Sequence, residues 1–408
     1  MPESIGYALA SPLRRPRVAR ITTISLAILL LLAALVIFAV VGGLGADATR
    51  VFLEALTVSS LLSVIPVAIL WFLDRRERES GWLFAAAFFW GGLIATSLAL
   101  PINSTILFAV GQWLESNAAL KELLGPEAAL MIGAPLAGPI VEETTKGLGI
   151  VLLFWLMRAE FDNVRDGFIY GALVGAGFNW FESALYVQQN FVQFGSAPYG
   201  FQLGARYAWL GLAGHALYSG IFGASLGLAR ATSKRWLRYV SPLAGYVLAV
   251  AGHAWQNSLP LFLALASVQS GEAAPTEIEA PPDVGLFEAM ATASISNLFI
   301  FLPFALLLAF IIRRSGQWER EVIREELSYE VGSSVTEQEY EGIVADKRYQ
   351  TRRIDKQNRT LSSALVNAQN ELAIRKRRLK DRGFDPESDP VVARWRAEIA
   401  GIRHHLQA

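Results

Sequence analysis

Residues 21–44 read ITTISLAILLLLAALVIFAVVGGL, twenty-four positions without a charge. A helix rises about 1.5 Å per residue, so about 20 apolar residues cross the hydrocarbon of a bilayer. The run is longer than the ~7–15-residue apolar region of a cleavable signal, and no small-residue cleavage motif follows it. It reads as a membrane-spanning helix over roughly 20–44. Seven further apolar runs of similar kind follow, at 51–73, 82–101, 129–157, 166–187, 205–230, 238–265 and 286–312. They are continuous rather than alternating, which indicates helices and not barrel strands. The fold class expected is all-α: a polytopic transmembrane helix bundle of about eight spans with a helical C-terminal tail.

Composition narrows the class further. The chain has 408 residues, 53% of them hydrophobic and only 18% charged, against about 25% charged in soluble domains. Thirty-five of the 72 charges lie in residues 313–408. An ordinary soluble globule is excluded. A formal net charge of zero argues against a polybasic nucleic-acid partner, and the absence of Cys removes disulfides, thiolate nucleophiles and Cys-ligated metals. No internal repeat and no Gly-Lys-Ser phosphate loop is present.

Orientation follows from the basic residues, which favour the cytoplasmic side. With the N-terminus inside, the inner loops carry Arg14, Arg15, Arg17, Arg20, Arg75, Arg76, Arg78, Arg158, Arg165, Arg230, Lys234, Arg235 and Arg238. The outer side carries only Arg50, Lys121 and Arg206, and its last loop has Glu272, Glu277, Glu279 and Asp283. Both termini are expected in the cytoplasm. The chain then divides into a cytoplasmic segment 1–19, accessory helices and an outside loop over 20–128, and a central core over 129–265. An acidic outside loop with the last span covers 266–312, and a charged cytoplasmic tail covers 313–408. Within 102–128 an interfacial helix is expected around Phe108, Trp113 and Leu114. The tail carries a stripe of Leu361, Leu365, Leu372 and Leu379, broken by Gly383-Phe384-Asp385-Pro386, and reads as a helical hairpin or stalk, with binding of a regulatory partner as the other reading.

Charge inside hydrocarbon costs about 2.5–3.5 kcal/mol per residue on insertion scales, so intramembrane ionisable residues are rare and usually functional. Terminal positions such as Glu54 aside, they are here Glu142, Glu143 and Lys146 on the fourth span, Glu182 on the fifth, His215 on the sixth and His253 on the seventh. Small-residue stripes mark the faces they occupy: Gly171 and Gly175 with Phe178 and Glu182; Gly211, Ser219, Gly223 and Gly227 with His215; Gly245 and Ala249 with His253 and Asn257. Such stripes let helix backbones approach closely. Gly138-Pro139 is expected to kink the fourth helix just before its glutamates. Three carboxylates, two imidazoles and an ammonium at similar depth suit a hydrolytic site or an ion pathway.

The spacing of these residues resembles a known family. Glu142-Glu143-Thr144-Thr145-Lys146 fits EExxK, Phe178-Asn179-Trp180-Phe181-Glu182 fits FxxxE, and His253-Ala254-Trp255-Gln256-Asn257 fits HxxxN. With His215 in Gly-His-Ala-Leu-Tyr-Ser-Gly and the Asp166-Gly167 segment between, residues 129–260 resemble the PrsW family of intramembrane proteases, distant relatives of the type II CAAX prenyl endopeptidases. The resemblance implies endopeptidase activity on a membrane-embedded or membrane-adjacent segment of a membrane protein, such as an anti-sigma factor, in a bacterial-type cell membrane. The CAAX relatives carry His where Glu182 stands, so their substrate preference does not transfer. Ser219 stands one turn after His215, where an Asn donor would otherwise be sought.

Peptide hydrolysis needs a base for water, donors for the oxyanion and an acid for the leaving amine. Glu142 is the preferred base, with Glu143 and Lys146 coupled to it; Glu182, His215 and His253 complete the set, and Asn257 is an oxyanion donor. A serine mechanism is disfavoured because Ser219 lies on the same helix as His215 with no nucleophile elbow. Glu142, Glu182, His215 and His253 also form an O/N set suited to Zn²⁺. A metal-free glutamate scheme is preferred slightly over it, and spacing alone leaves both open. The rival from another class is a transporter or proton-coupled channel using the same carboxylates and histidines, against which stands the lack of a repeated half.

Overall fold

All eight apolar runs are helical in a computed structural model of the chain, but several begin, end or break away from where composition places them. The structure describes residues 12–74, 81–157, 161, 163–232, 234–271, 278–345, 359–381 and 383–407. Arg75, Arg76, Arg78, Arg158, Glu272 and Glu277, used above for orientation, lie outside the described residues. The chain divides into a bundle unit (Ser11–Thr232 and Trp236–Ala309) and a second unit made mainly of the tail (Phe310–Ala408). No strand occurs among the described residues, only a bridge between Val331 and Val335.

In chain order the helices are α1 (Pro16–Gly42), α2 (Ala46–Leu73), α3 (Gly81–Glu115), α4 (Ala118–Leu124), α5 (Ala128–Leu156), α6 (Val164–Phe194), α7 (Tyr199–Arg206), α8 (His215–Ala231), α9 (Leu237–Asn257), α10 (Leu259–Gln269), α11 (Leu286–Ser296) and α12 (Leu298–Ser328). The tail adds α13 (Glu337–Val344), α14 (Arg359–Lys380) and α15 (Pro390–Gln407). Five stretches are long and apolar enough to cross a membrane: α1, α2, α3, Ala208–Ala231 and α12. The α4–α5 pair, bent by 95°, makes a sixth if counted as one span. Apolar side chains such as Leu31, Leu35 and Phe38 on α1 and Leu61 and Val64 on α2 are exposed, as a lipid-facing surface requires. The central α6 is absent from the five because Arg165, Asp166, Asn179, Glu182, Gln188, Gln189 and Asn190 dilute its apolar character.

Helix α6 is the axis of the bundle, and glycine explains why. It opens on a capping box: the Asn163 side chain accepts from the backbone N–H groups of Arg165 and Asp166, and the Asp166 carboxylate accepts from that of Asn163. Along one face, a Cβ at Gly167, Gly171 or Gly175 would overlap the carbonyl oxygens of Gly223, Ser219 and His215 on α8. On another face, a Cβ at Gly177 would overlap Phe88 O, and one at Gly91 would overlap Val174 O. Main chain therefore packs directly on main chain to both sides of α6, the geometry that small residues permit between membrane helices. Gly91 lies in a π-helical segment of α3, Trp90–Ala95.

Four departures from the sequence reading bear on the site. Helix α3 continues to Glu115, so residues 102–115 are helix rather than the start of an outside loop. Helix α5 is continuous through Pro135 and Pro139, and the sharp bend lies earlier, between α4 and α5, at a Gly125 with φ 79°. The sixth run does not form one helix from residue 205. It breaks after α7, with Trp209, Leu210, Gly211 and Gly214 all at positive φ, so Gly211 is outside the helix and His215 is its first residue. Trp209 is held in that unfavourable backbone by its N–H and indole N–H, which donate to Ser294 Oγ and O at 3.2 and 2.9 Å. The seventh and eighth runs break at Ser258, just before Pro260 at the start of α10, and at Asn297.

In the tail unit, Leu365, Leu372 and Leu379 of α14 pack on Val392 and Ile399 of α15. Gly383 at φ 76° turns the chain between them. A buried Glu330 accepts from Lys376 and, at 2.6 Å, from Arg396.

Candidate active site

Helices α5, α6, α8 and α9 converge on one buried polar cluster. On α5, Glu142 and Lys146 are a turn apart and Glu143 is about 100° around from Glu142, so the two carboxylates enter the cluster on different sides. All three are buried, Lys146 without exposed surface. His215 comes from the first turn of α8, Ser219 from its next turn, His253 from α9, and Glu182 and Phe178 from α6.

The glutamates differ in how their oxygens are used. Glu143 Oε1 accepts from Lys146 Nζ at 2.6 Å and from His253 Nδ1 at 3.1 Å, and its Oε2 accepts from Ser219 Oγ at 3.0 Å. Glu142 Oε1 accepts from Asn103 Nδ2 of α3 at 3.0 Å. Glu142 Oε2 is buried and has no hydrogen-bond partner among the described residues. That oxygen is 3.8 Å from His253 Nε2, 3.9 Å from His215 Nδ1 and 4.0 Å from Lys146 Nζ.

A carboxylate only accepts, which assigns the ring protons of neutral imidazoles. His253 donates Nδ1–H to Glu143, leaving the Nε2 lone pair toward Glu142 Oε2. His215 donates Nε2–H to Glu182 Oε2 at 2.8 Å, and its Nδ1 accepts from Lys146 Nζ at 2.9 Å. Two acceptors, Glu142 Oε2 and His253 Nε2, thus face each other across 3.8 Å. Buried acceptors in that relation call for a bridging water or a cation. The rings are packed in place: Tyr218 stacks on His253 with centroids 5.7 Å apart, and Phe178 lies 5.0 Å from His215 and 4.3 Å from Lys146 Nζ.

Six of the residues singled out from sequence, Glu142, Glu143, Lys146, Glu182, His215 and His253, therefore stand in one network. Asn257 is at its edge. Its Nδ2 donates to Ala134 O at 3.2 Å, beside Gly138, where a Cβ would sit 3.3 Å from that nitrogen and 3.2 Å from Glu142 Oε1. Sequence reasoning missed two members. Asn103 lies beyond the third apolar run, and only the continuation of α3 to Glu115 makes it an intramembrane amide facing Glu142. Arg206 counts by sequence among the exterior charges, whereas its Nη1 donates to Glu182 Oε2 at 2.6 Å.

Residues 79–274 match the model of the PrsW family of intramembrane metalloproteases, which places that part of the chain in this family. No curated protein and no solved structure is matched. The family is one of intramembrane proteases, and among the described residues several helices are long and apolar enough to span a bilayer.

The metal named in the family's description can be tested against the donors. Glu142, His215 and His253 offer one oxygen and two nitrogens within 4.8 Å of one another. With the unpartnered Glu142 Oε2 and the free His253 Nε2 lone pair, this O/N set fits Zn²⁺. Glu182 is not in that trio. Its Oε2 is taken by His215 and Arg206 instead. Lys146 holds His215 Nδ1 here, and if a metal took that nitrogen the ammonium would keep Glu143 and the Phe178 face.

Proposed function

We propose that the chain is an intramembrane endopeptidase that hydrolyses a peptide bond in or beside a transmembrane segment of another membrane protein, with Glu142 as the general base for water. The observation that carries this is the division of labour between the glutamates. Glu143 is bonded at both oxygens by three donors, whereas Glu142 keeps one buried oxygen open beside an imidazole lone pair. A water donating to Glu142 Oε2 and His253 Nε2 would be oriented by both and would lose its proton to the carboxylate as it attacks. Lys146 and Asn257 are the nearby N–H donors for the developing oxyanion, and protonated Glu142 returns the proton to the leaving amine. When bound by Glu142, His215 and His253, Zn²⁺ would supply Lewis acidity and lower the pKa of the water.

The basic-residue bias supports placing both termini and the tail in the cytoplasm of a bacterial-type cell, with eight membrane crossings. On that topology the cluster lies from the midplane to the outer half. The cut then falls near the extracytoplasmic end of the substrate's span, as for the first cut in an anti-sigma-factor-type substrate, and the tail remains available to a regulatory partner. The deciding experiment is cleavage of a single-span substrate in proteoliposomes. Wild-type protein is expected to cut and Glu142→Gln to lose about 10²–10⁴-fold in kcat. Wild-type rates in a folded Glu142→Gln protein would refute the assignment.

A further inference from the structure

Arg206 belongs to none of the motifs that define the site, yet it is bonded into it. Its Nη1 donates to Glu182 Oε2 at 2.6 Å, and the same oxygen accepts from His215 Nε2 at 2.8 Å. Its guanidinium carbon lies 3.9 Å from the centre of the Tyr186 ring. The main chain around it is pinned from two helices. Asn179 Nδ2 of α6 donates to Arg206 O at 3.2 Å, and the hydroxyl of the next residue, Tyr207, is bonded to Ser59 and Ser63 of α2 at 2.7 and 2.6 Å. This mounting sits where α7 ends and the positive-φ break before α8 begins. An arginine needed only for a loop would not require it.

The consequence lies one bond further in. Arginine remains a cation in proteins and only donates, so Glu182 is fixed as an acceptor toward His215. That puts the ring proton on Nε2, in agreement with the Lys146 ammonium, which donates to Nδ1 at 2.9 Å from the other side, and leaves the Nδ1 edge 3.9 Å from Glu142 Oε2. Carboxylates that hold the far nitrogen of a working imidazole set its tautomer and orientation in this way.

We propose that Arg206 is a positioning residue that acts through Glu182 to hold His215 in the Nε2–H form with Nδ1 facing Glu142. Its kinetic consequence rests on the protease reading; the tautomer does not. The tautomer is read by ¹⁵N NMR of histidine-labelled full-length protein in nanodiscs, where only four His contribute and His215→Asn assigns the signal. Wild type is expected to show the Nε2–H form. Arg206→Gln and Glu182→Gln should each lose that single form, and Arg206→Lys should retain it. An unchanged His215 signal in folded Arg206→Gln overturns the proposal, and Arg206→Met supplies the same test if that variant does not fold. On a cleaved substrate, Arg206→Gln should lower kcat about 10–100-fold with KM within about twofold, and the double variant should be no worse than either single one. Multiplying effects would overturn it. Failure of wild type to cut any transmembrane substrate would refute the protease reading instead, with the NMR result still deciding the role of Arg206.

Discussion

Glu142 and Glu143 are adjacent in sequence and unlike in surroundings because a helix turns about 100° between them. Glu143 meets Ser219, His253 and Lys146, whereas Glu142 meets Asn103 and turns its other oxygen to the two imidazoles at 3.8 and 3.9 Å. Neutralising each should therefore fail differently. Glu143→Gln leaves the fully buried Lys146 ammonium without its 2.6 Å anion, and breaking a buried pair costs about 3–5 kcal/mol. Glu142→Gln removes a carboxylate whose second oxygen has no bond to lose. Thermal unfolding in detergent is expected to show a large drop in Tm for the first and little change for the second, while cleavage falls in both. Equal losses of Tm would contradict the assigned roles. The glutamates, Lys146 and the two histidines were legible in the sequence because charge in an apolar run is conspicuous. Asn103 and Arg206 were not: Asn103 lies where hydropathy places a loop, and Arg206 at the outer end of the sixth apolar run, where a charge reads as a span-end residue. Nothing in a one-dimensional pattern shows that α3 continues or that the end of α7 turns Arg206 into the bundle.

At the scale of elements, the small-residue stripes were the readable signal and the helix breaks were not. Gly171 and Gly175 announce a close neighbour at helical spacing, and α8 lies against them. The break before His215 rests on Trp209 and Leu210 at positive φ, and Trp209 is held there by two tertiary hydrogen bonds to Ser294. Two glycines of opposite kind test the packing. Gly171→Val would drive side-chain atoms into Ser219 O and the Gly220 main chain, whereas a Cβ at Gly111 of α3 meets nothing within 4 Å. Gly171→Val should prevent stable folding, seen as loss of a cooperative melt, and Gly111→Ala should hold or raise stability by up to about 1 kcal/mol. The tail helices carry a separate, pH-dependent test. Burial pushes the Glu330 carboxyl up, but hydrogen bonds and charge from Arg396 and Lys376 outweigh it and bring it down to about 2 from an ordinary 4.5. A depressed folded-state pKa means the stabilisation is whole above about 4.5 and is lost as pH falls toward 2. The hydrogen-exchange protection of α14 in the full-length protein, taken relative to the intrinsic rate at each pH, should fall across that window, and Glu330→Gln should show lower protection already at neutral pH. An acid response identical in wild type and Glu330→Gln would remove Glu330 as its cause.

Over the whole molecule, the charges that orient the chain look more one-sided once their contacts are known. Of the three basic residues assigned outside, Arg206 is bonded to Glu182 within the bundle, so it does not oppose the bias as a free loop charge. Lys121 pairs with Glu115 at 2.7 Å, and Arg50 lies 3.8 and 3.9 Å from Asp47 and Glu54. Positive charge near span ends governs insertion, so reporters fused after residue 45, within 187–204 and within 270–284 should be external. Those after 78, 160 and 234 should be internal. Helix α3 adds a stricter point. Its 35 residues extend about 50 Å, well beyond about 30 Å of hydrocarbon, so a chain entering from an internal residue 78 must carry Glu115 clear of the far side. A fusion within 116–127 is therefore external on this topology. An internal reading there, or for the acidic 270–284 loop, would invert the placement of the cluster. The same inversion would move the cut to the cytoplasmic end of the substrate's span, so mapping the product termini checks the topology independently of any reporter.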